Sequence, residues 1–146
     1  MHEQKRGIMV LLAFLMAALV VISGGISCGC SAPSQVIEDI TPEEAYALLQ
    51  DNKDNPDFVI LDVQSSGEYA EKHLENAIHI PFYSSYFNSE VKKLDRNKTY
   101  LVYGRIGACG QSASRQMKKL GFREVYSLSQ GGLFQWEKKG FPVVVE

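Results

Sequence analysis

The chain has 146 residues, enough for one compact domain and an additional segment. Hydrophobic residues make up 45% of it and charged residues 22%, which is typical of a globular protein. The formal net charge of −2 at pH 7 excludes a generally basic protein that binds nucleic acid through charge alone.

Residues 1–30 have the pattern of an export signal. Lys5 and Arg6 precede an uninterrupted apolar run over residues 8–22, and small residues follow it. This run is shorter than the roughly 20 residues that a spanning helix needs, although residues 23–26 lengthen it enough to leave an uncleaved anchor open. A linker is predicted over residues 31–39.

Cys28 and Cys30 close the N-terminal segment, and a cysteine after small residues resembles the lipidation signal of bacterial-type lipoproteins. Neither has the usual branched apolar residue three positions before it. Lipidation at Cys28 or Cys30, simple cleavage and an uncleaved anchor therefore all stay open. A Cys-x-Cys metal site would have two ligands and no partner cluster. In each export case we expect the domain on the extracytoplasmic side, in the periplasm or at the cell surface.

The domain predicted over residues 40–146 alternates helices and strands. Thr41, Pro42 and Glu44 supply an N-cap, a first-turn proline and a capping box for the first helix. The apolar run at 58–63 indicates a strand buried on both faces, and further strands are predicted at 77–80, 99–103, 125–128 and 143–145. Helices are predicted at 66–73, 84–94 and 131–138, with another that ends at Gly121. This order predicts an α/β fold with a mostly parallel central sheet flanked by helices on both faces.

The glycine-rich loop between the strand at 99–103 and the next helix is the most informative stretch. Such a loop directs backbone N–H groups inward at a helix N-terminus and can bind an anion. Ligands of parallel sheets usually lie outside the carboxyl ends of the strands, where this loop is placed. The predicted anion-binding loop comprises Gly104, Arg105, Ile106, Gly107, Ala108, Cys109 and Gly110.

Motifs spread along residues 40–146 resemble those of a single rhodanese-like domain. The first half carries Asp62-Val-Gln-Ser-Ser-Gly-Glu68-Tyr69 and Lys72-His73-Leu-Glu-Asn-Ala77-Ile-His-Ile-Pro81, and the second carries Leu120-Gly-Phe122, Val125-Tyr-Ser-Leu128, Gly131-Gly-x-x-x-Trp136 and Gly140-x-Pro142. The resemblance implies the α/β fold above and a sulfurtransferase activity without a cofactor.

The sequence departs from that family in the loop. The family's loop has six residues, begins with a cysteine that carries a persulfide sulfur and often ends with an arginine. Aligned without a gap, this chain has Gly104 at the cysteine position and Cys109 at the arginine position, and Gln64 replaces an arginine after Asp-Val. Glycine has no atom that can attack a sulfane sulfur, so the usual nucleophile is missing.

Three interpretations of Cys109 stay open. It is a relocated nucleophile whose thiolate the helix end stabilises, a small buried apolar residue, or a partner in an intermolecular disulfide. A fourth interpretation takes Cys109 to Arg115 as the Cys-x5-Arg loop of cysteine phosphatases. That loop would delay the helix to about Gln116 and leave too few residues before Gly121.

Other polar residues have roles that the sequence leaves open or limits. Asp62 either accepts N–H groups of the loop or caps the turn after its own strand. Glu68 caps the next helix or pairs with Lys72 or His73, and both Asp62 and Glu68 would support the loop. Arg105 is the candidate for binding an anionic ligand. The histidines have no Asp, Glu or Cys cluster at metal spacing, so no metal site is predicted.

Together these observations predict an exported rhodanese-like domain with a degenerate loop, acting as an anion- or protein-binding module near the membrane. The alternative is an active sulfurtransferase that moves sulfane sulfur from thiosulfate or a persulfide to a thiol or cyanide, with Cys109 as the catalytic residue. The expected partners are a small sulfur-containing anion or a protein thiol, with the membrane contacted through residues 1–30 and no nucleic acid bound.

Overall fold

The computed structural model describes residues 34–145. The predictions for residues 1–30, including the export signal and lipidation at Cys28 or Cys30, lie outside the described residues. Among the residues that are described, every helix is too short or too polar to cross a bilayer.

The described chain forms seven strands and five helices. In chain order they are β1 (Val36–Ile40), α1 (Pro42–Asp51), β2 (Phe58–Asp62), α2 (Ser66–Glu71), β3 (Lys72–His73), β4 (Ile78–His79), α3 (Phe87–Val91), β5 (Thr99–Tyr103), α4 (Ala108–Lys119), β6 (Glu124–Leu128), α5 (Gly132–Lys138) and β7 (Val144–Val145).

Five of the strands form one parallel sheet in the order β1-β6-β5-β2-β4. β3 and β7 form a separate antiparallel ribbon. Because all five strands run the same way, their carboxyl ends lie along one edge of the sheet. Asp62 and Tyr103 are register partners at this edge, so the segments that follow β2 and β5 begin side by side.

Helices cover both faces of the sheet, as predicted. Along β5, Tyr100 and Val102 pack with α3 and α4, whereas Leu101 and Tyr103 pack with α1 and α5. This alternation follows from the two-residue repeat of a strand. Trp136 is buried on the second face, where its indole N–H donates to the Pro142 carbonyl at 2.9 Å.

Two helices begin with a reciprocal capping box. The Thr41 hydroxyl accepts the Glu44 N–H, and the Glu44 carboxylate accepts the Thr41 N–H at 2.8 Å, as predicted. Ser65 and Glu68 make the same pair of bonds at the start of α2. Glu68 therefore caps its helix, the first of its two predicted roles.

Three boundaries differ from the prediction. Part of the predicted linker at 31–39 is strand β1, which pairs with β6 at the sheet edge and buries only Ile40, so its apolar signal is weak. The helix predicted at 66–73 stops at Glu71, because Lys72 and His73 pair with Val145 and Val144, far along the chain. The helix predicted at 84–94 is shorter in the structure, where it spans Phe87–Val91 and is flanked by turns.

Replacing Thr41 by Ala should lower the free energy of unfolding by about 1 kcal/mol, because the Glu44 N–H in the first turn of α1 loses its side-chain acceptor. Gln50→Ala, at an exposed position in the same helix, should change it by less than about 0.5 kcal/mol. Urea denaturation of both variants measures the difference, and equal effects would contradict the capping assignment.

Candidate functional site

The loop that joins β5 to α4 is fastened to the start of α5 by two backbone hydrogen bonds. The Leu133 N–H donates to the Gly104 carbonyl and the Phe134 N–H to the Arg105 carbonyl, both at 3.0 Å. These bonds use two N–H groups that the first turn of α5 cannot pair within the helix. The shape of the loop is therefore set by a helix about 30 residues further along the chain.

Two glycines allow the loop to approach the start of α5 this closely. Gly107 has φ +90°, and a Cβ there would lie 2.0 Å from the Ser129 carbonyl oxygen. Gly132 has φ +55°, and its Cβ would lie 2.3 Å from the Gly104 carbonyl oxygen. Both positions combine a left-handed backbone with missing space, so each requires glycine.

The backbone N–H groups of residues 105–110 have no hydrogen-bond acceptor among the described residues. The first bond of α4 is the one from the Gln111 N–H to the Gly107 carbonyl, at 3.0 Å. The structure thus brings together every residue predicted for the anion-binding loop. Six unpaired N–H groups at the positive end of a twelve-residue helix form an arrangement that favours a bound anion.

Cys109 is the second residue of α4 and carries a free, half-buried thiol. It packs against the apolar cluster beneath α4. The neighbouring Cys109 thiol raises the pKa of Tyr83. A Cβ at position 104 would lie 3.0 Å from the Cys109 Cβ. A side chain at position 104 would therefore be in contact with the Cys109 side chain. Position 104 is the one that corresponds to the cysteine of the resembled family.

The helix that contains Cys109 begins at Ala108. Residues 109–115 are consequently helical and cannot form the Cys-x5-Arg loop of a cysteine phosphatase. This excludes the fourth interpretation of Cys109.

Arg105 is engaged by an acidic residue of α5. Its guanidinium lies 3.2 Å from a carboxylate oxygen of Glu137, and the Lys72 ammonium lies 2.6 Å from the other oxygen. Two cations thus share one carboxylate beside the loop, which leaves a net positive charge there. The predicted anion-binding role of Arg105 stays a prediction.

Asp62 is completely buried at the end of β2. Its carboxylate accepts the Gln64 N–H at 2.8 Å, the Gln64 side-chain amide at 3.0 Å and the Tyr103 hydroxyl. Burial raises the pKa of Asp62, and these hydrogen bonds act in the opposite direction. None of its donors is a loop N–H, so Asp62 caps the turn after β2, the second of its predicted roles.

Tyr103 links Asp62 to the loop, because it is the last residue of β5 and the loop begins directly after it. Its hydroxyl donates to Asp62 and accepts the Leu74 N–H at 2.9 Å. Burial and the neighbouring Asp62 charge raise the pKa of Tyr103 far above its usual value. The phenol is therefore a neutral, permanent donor that fixes the point where the loop begins.

Tyr83, Phe134 and Glu137 could not be predicted as neighbours of the loop, because they reach it from other segments and carry no local motif. The histidines are structural: His73 and His79 stack on the Tyr69 ring, with ring centroids 4.1 and 4.2 Å away. Within residues 34–145, no three His, Cys, Asp or Glu side chains cluster in a way that could bind a metal ion.

A family model described as "Rhodanese-like domain" matches residues 41–139. The thiosulfate sulfurtransferase GlpE of Coxiella burnetii is 36% identical over 100 residues, which cover 68% of this chain and 87% of that protein. The tRNA uridine(34) hydroxylase of Citrobacter koseri is 30% identical over 133 residues, or 84% of this chain and 36% of that protein.

Two solved structures have the same fold. A rhodanese-related protein of Thermoplasma volcanium superposes with a TM-score of 0.58 at 28% identity, covering 77% of this chain and 99% of that one. The rhodanese-like domain of an Anabaena protein gives a TM-score of 0.60 at 25% identity, covering 78% and 80%.

Tyr103→Phe should lower the free energy of unfolding by about 1–3 kcal/mol, because it leaves the buried Leu74 N–H without its acceptor and removes one of the three donors to Asp62. The control is Tyr46→Phe, whose hydroxyl makes no hydrogen bond among the described residues and whose removal should cost less than about 0.5 kcal/mol. Urea denaturation compares the two, and a neutral Tyr103→Phe would refute the support role.

Gly107→Ala should destabilise the domain by about 3 kcal/mol or more, because the backbone must leave both its left-handed conformation and its contact with Ser129. Gly67→Ala is the matched control: position 67 lies in α2, a Cβ there meets nothing within 4 Å, and helix propensity should stabilise the domain by about 0.5–1 kcal/mol. Thermal unfolding measures both, and opposite signs are expected.

Proposed function

We propose that this chain, which belongs to the rhodanese-like domain family, is an exported module whose loop at residues 104–110 binds a small sulfur-containing anion without turning it over. The observation that carries the proposal is the set of six backbone N–H groups that open α4 and have no acceptor among the described residues. A bound anion would satisfy them, and the helix end and the surplus cation at Glu137 would stabilise its charge.

The missing side chain at position 104 supports binding rather than catalysis. Gly104 offers no nucleophile at the start of the loop, and the only thiol of the described chain lies in the first turn of α4. That thiol is half-buried and contacts the apolar cluster under α4. A free cysteine in such surroundings commonly serves as a small apolar side chain.

Thiosulfate is the anion to test first. Its oxygens accept N–H hydrogen bonds, and GlpE, the 36% identical relative, is a thiosulfate sulfurtransferase. Residues 1–30 would export the domain and keep it at the membrane, as a lipoprotein or through an apolar anchor.

The second candidate is a sulfurtransferase with Cys109 as its nucleophile, and the 3.0 Å separation between the Cys109 Cβ and a Cβ at position 104 favours it. The Cys109 thiolate would attack the outer sulfur of thiosulfate. The sulfur–sulfur bond of thiosulfate would break and sulfite would leave with the bonding electrons. A thiolate or cyanide would then take the outer sulfur from the Cys109 persulfide and regenerate the thiolate.

Calorimetric titration with thiosulfate and a thiosulfate:cyanide assay together test both candidates. The parent chain should bind thiosulfate and show no turnover. The double variant Gly104→Cys/Cys109→Arg restores the family's pattern at both loop ends and should gain turnover, because the N–H groups are already in place to stabilise a persulfide.

Cys109→Ser separates the two candidates. Turnover by the parent that disappears in Cys109→Ser would establish Cys109 as the nucleophile and reject the binding module. A parent chain that binds no thiosulfate, together with a silent double variant, would reject the anion-binding loop itself. Val36→Ser, on the edge strand β1 and away from the carboxyl edge, is the control for handling and folding.

A further inference from the structure

Four exposed cations lie around the point where the described chain begins, at the end of the molecule opposite to the loop. Lys118 and Lys119 are in the last turn of α4. Arg96 precedes β5, and Arg123 directly precedes β6. All four side chains are exposed, on a chain whose formal net charge is −2. We call these four residues the basic surface.

Hydrogen bonds to backbone carbonyls hold the basic surface together at the amino edge of the sheet. The Gln35 side-chain amide donates to the Lys118 carbonyl at 3.0 Å, and the Val36 N–H donates to the Arg123 carbonyl at 2.7 Å. The Arg123 N–H in turn donates to the Arg96 carbonyl at 3.0 Å. The N-terminal segment of the chain therefore joins the domain at this surface.

None of the four cations forms an ion pair with another described residue. Their acidic neighbours in the sequence have other partners: the Asp95 carboxylate accepts two N–H groups of Asn97, and the Glu124 carboxylate accepts two hydroxyl groups. The dipole of α4 favours cations in its last turn, but Arg96 and Arg123 lie outside every helix. The basic surface is therefore positive without a partner in the domain that accounts for it.

The N-terminal segment is short enough to keep the basic surface close to a membrane. Eleven residues, 23–33, separate the apolar run at 8–22 from the first described residue, and a fully extended chain of this length reaches about 36 Å. Lipidation at Cys28 or Cys30 would shorten the tether further. A tether of this length gives the surface a high local concentration beside lipid head groups, so weak charge contacts suffice to hold it there.

We propose that the basic surface binds the anionic lipid head groups of the membrane that holds residues 1–30. The inference rests on the membrane attachment in the proposed function and adds the orientation of the domain. Lys and Arg side chains close to a bilayer attract acidic lipids, and an apolar anchor combined with basic residues binds more firmly than either alone. Because β5 runs from this edge to the loop at 104–110, the bound domain presents its loop to the aqueous side.

A lipid surface suits these four cations better than a nucleic acid does. A nucleic acid must reach them from solution, and a chain with a net charge of −2 exerts no general attraction on a polyanion. Anionic lipids in the membrane that holds the tether are already within its reach, so no long-range attraction is required.

Amine labelling of the full-length chain on liposomes tests the proposal. Cell-free synthesis retains residues 1–30, and the liposomes consist of phosphatidylcholine alone or of equal parts of phosphatidylcholine and phosphatidylglycerol. Mass spectrometry should find that Lys118 and Lys119 are acetylated at least about threefold more slowly on the anionic liposomes, and that about 1 M salt abolishes the difference by screening. Lys138, whose ammonium lies 4.5 Å from the centre of the Phe134 ring beside the loop, should react equally on both.

Lys118→Gln/Lys119→Gln removes two charges from the basic surface. Lys138→Gln/Lys139→Gln is the matched control, because it removes two adjacent exposed lysines from the end of another helix, α5. A guanidine-directed reagent reports on Arg123 in both variants. Anionic lipid should protect Arg123 in the parent chain and in the control, and most of this protection should be lost in Lys118→Gln/Lys119→Gln.

The outcomes separate this inference from the proposed function. Equal labelling of Lys118 and Lys119 on the two kinds of liposome, or equal slowing of Lys138, would overturn the inference and leave the membrane attachment standing. Protection of the same lysines by an added RNA oligonucleotide, with none from anionic lipid, would assign the surface to a nucleic acid and overturn it too. A chain that floats with neither kind of liposome would reject the membrane attachment itself, and the inference with it.

Discussion

The contact between the loop at residues 104–107 and the amino end of α5 is the constraint on which the rest of the site depends. The Leu133 N–H donates to the Gly104 carbonyl, and a Cβ at Gly132 would fall 2.3 Å from that same oxygen. Because α5 satisfies the loop's carbonyls, the loop's N–H groups stay unpaired at the start of α4. The anion binding that we propose for the loop therefore depends chiefly on a backbone contact.

A second, buried arrangement fixes where that loop begins. Asp62 and Tyr103 end adjacent strands in register, and the Tyr103 hydroxyl joins the Asp62 carboxylate to the Leu74 N–H. Three donors surround the carboxylate, yet burial still raises its pKa, so the group remains costly to ionise. Such a site tolerates little rearrangement, since any lost partner leaves a buried polar group unsatisfied.

Features that depend on neighbouring residues could be predicted from the sequence, whereas features that depend on distant segments could not. Three features could be predicted because each depends on neighbouring residues: the alternation of strands and helices, the Thr41–Glu44 capping box and the loop itself. Strand β1 gives little sequence signal, because only Ile40 of it is buried and its pairing partner, β6, lies about 90 residues away. Its residues therefore fall in the predicted linker. Glu137 and Tyr83 reach the loop only through tertiary packing.

The course of the loop is set independently of the side chain at position 104. Hydrogen bonds to backbone carbonyls and the positive-φ glycines at 107 and 132 determine the course of the chain, and neither depends on the side chain at position 104. The Cys109 Cβ lies 3.0 Å from the position that a Cβ at residue 104 would occupy. The thiol of the loop is therefore on its helical end and next to position 104. The backbone shape of the loop and the presence of a nucleophile at position 104 are therefore separate requirements, and the binding module that we propose needs only the first.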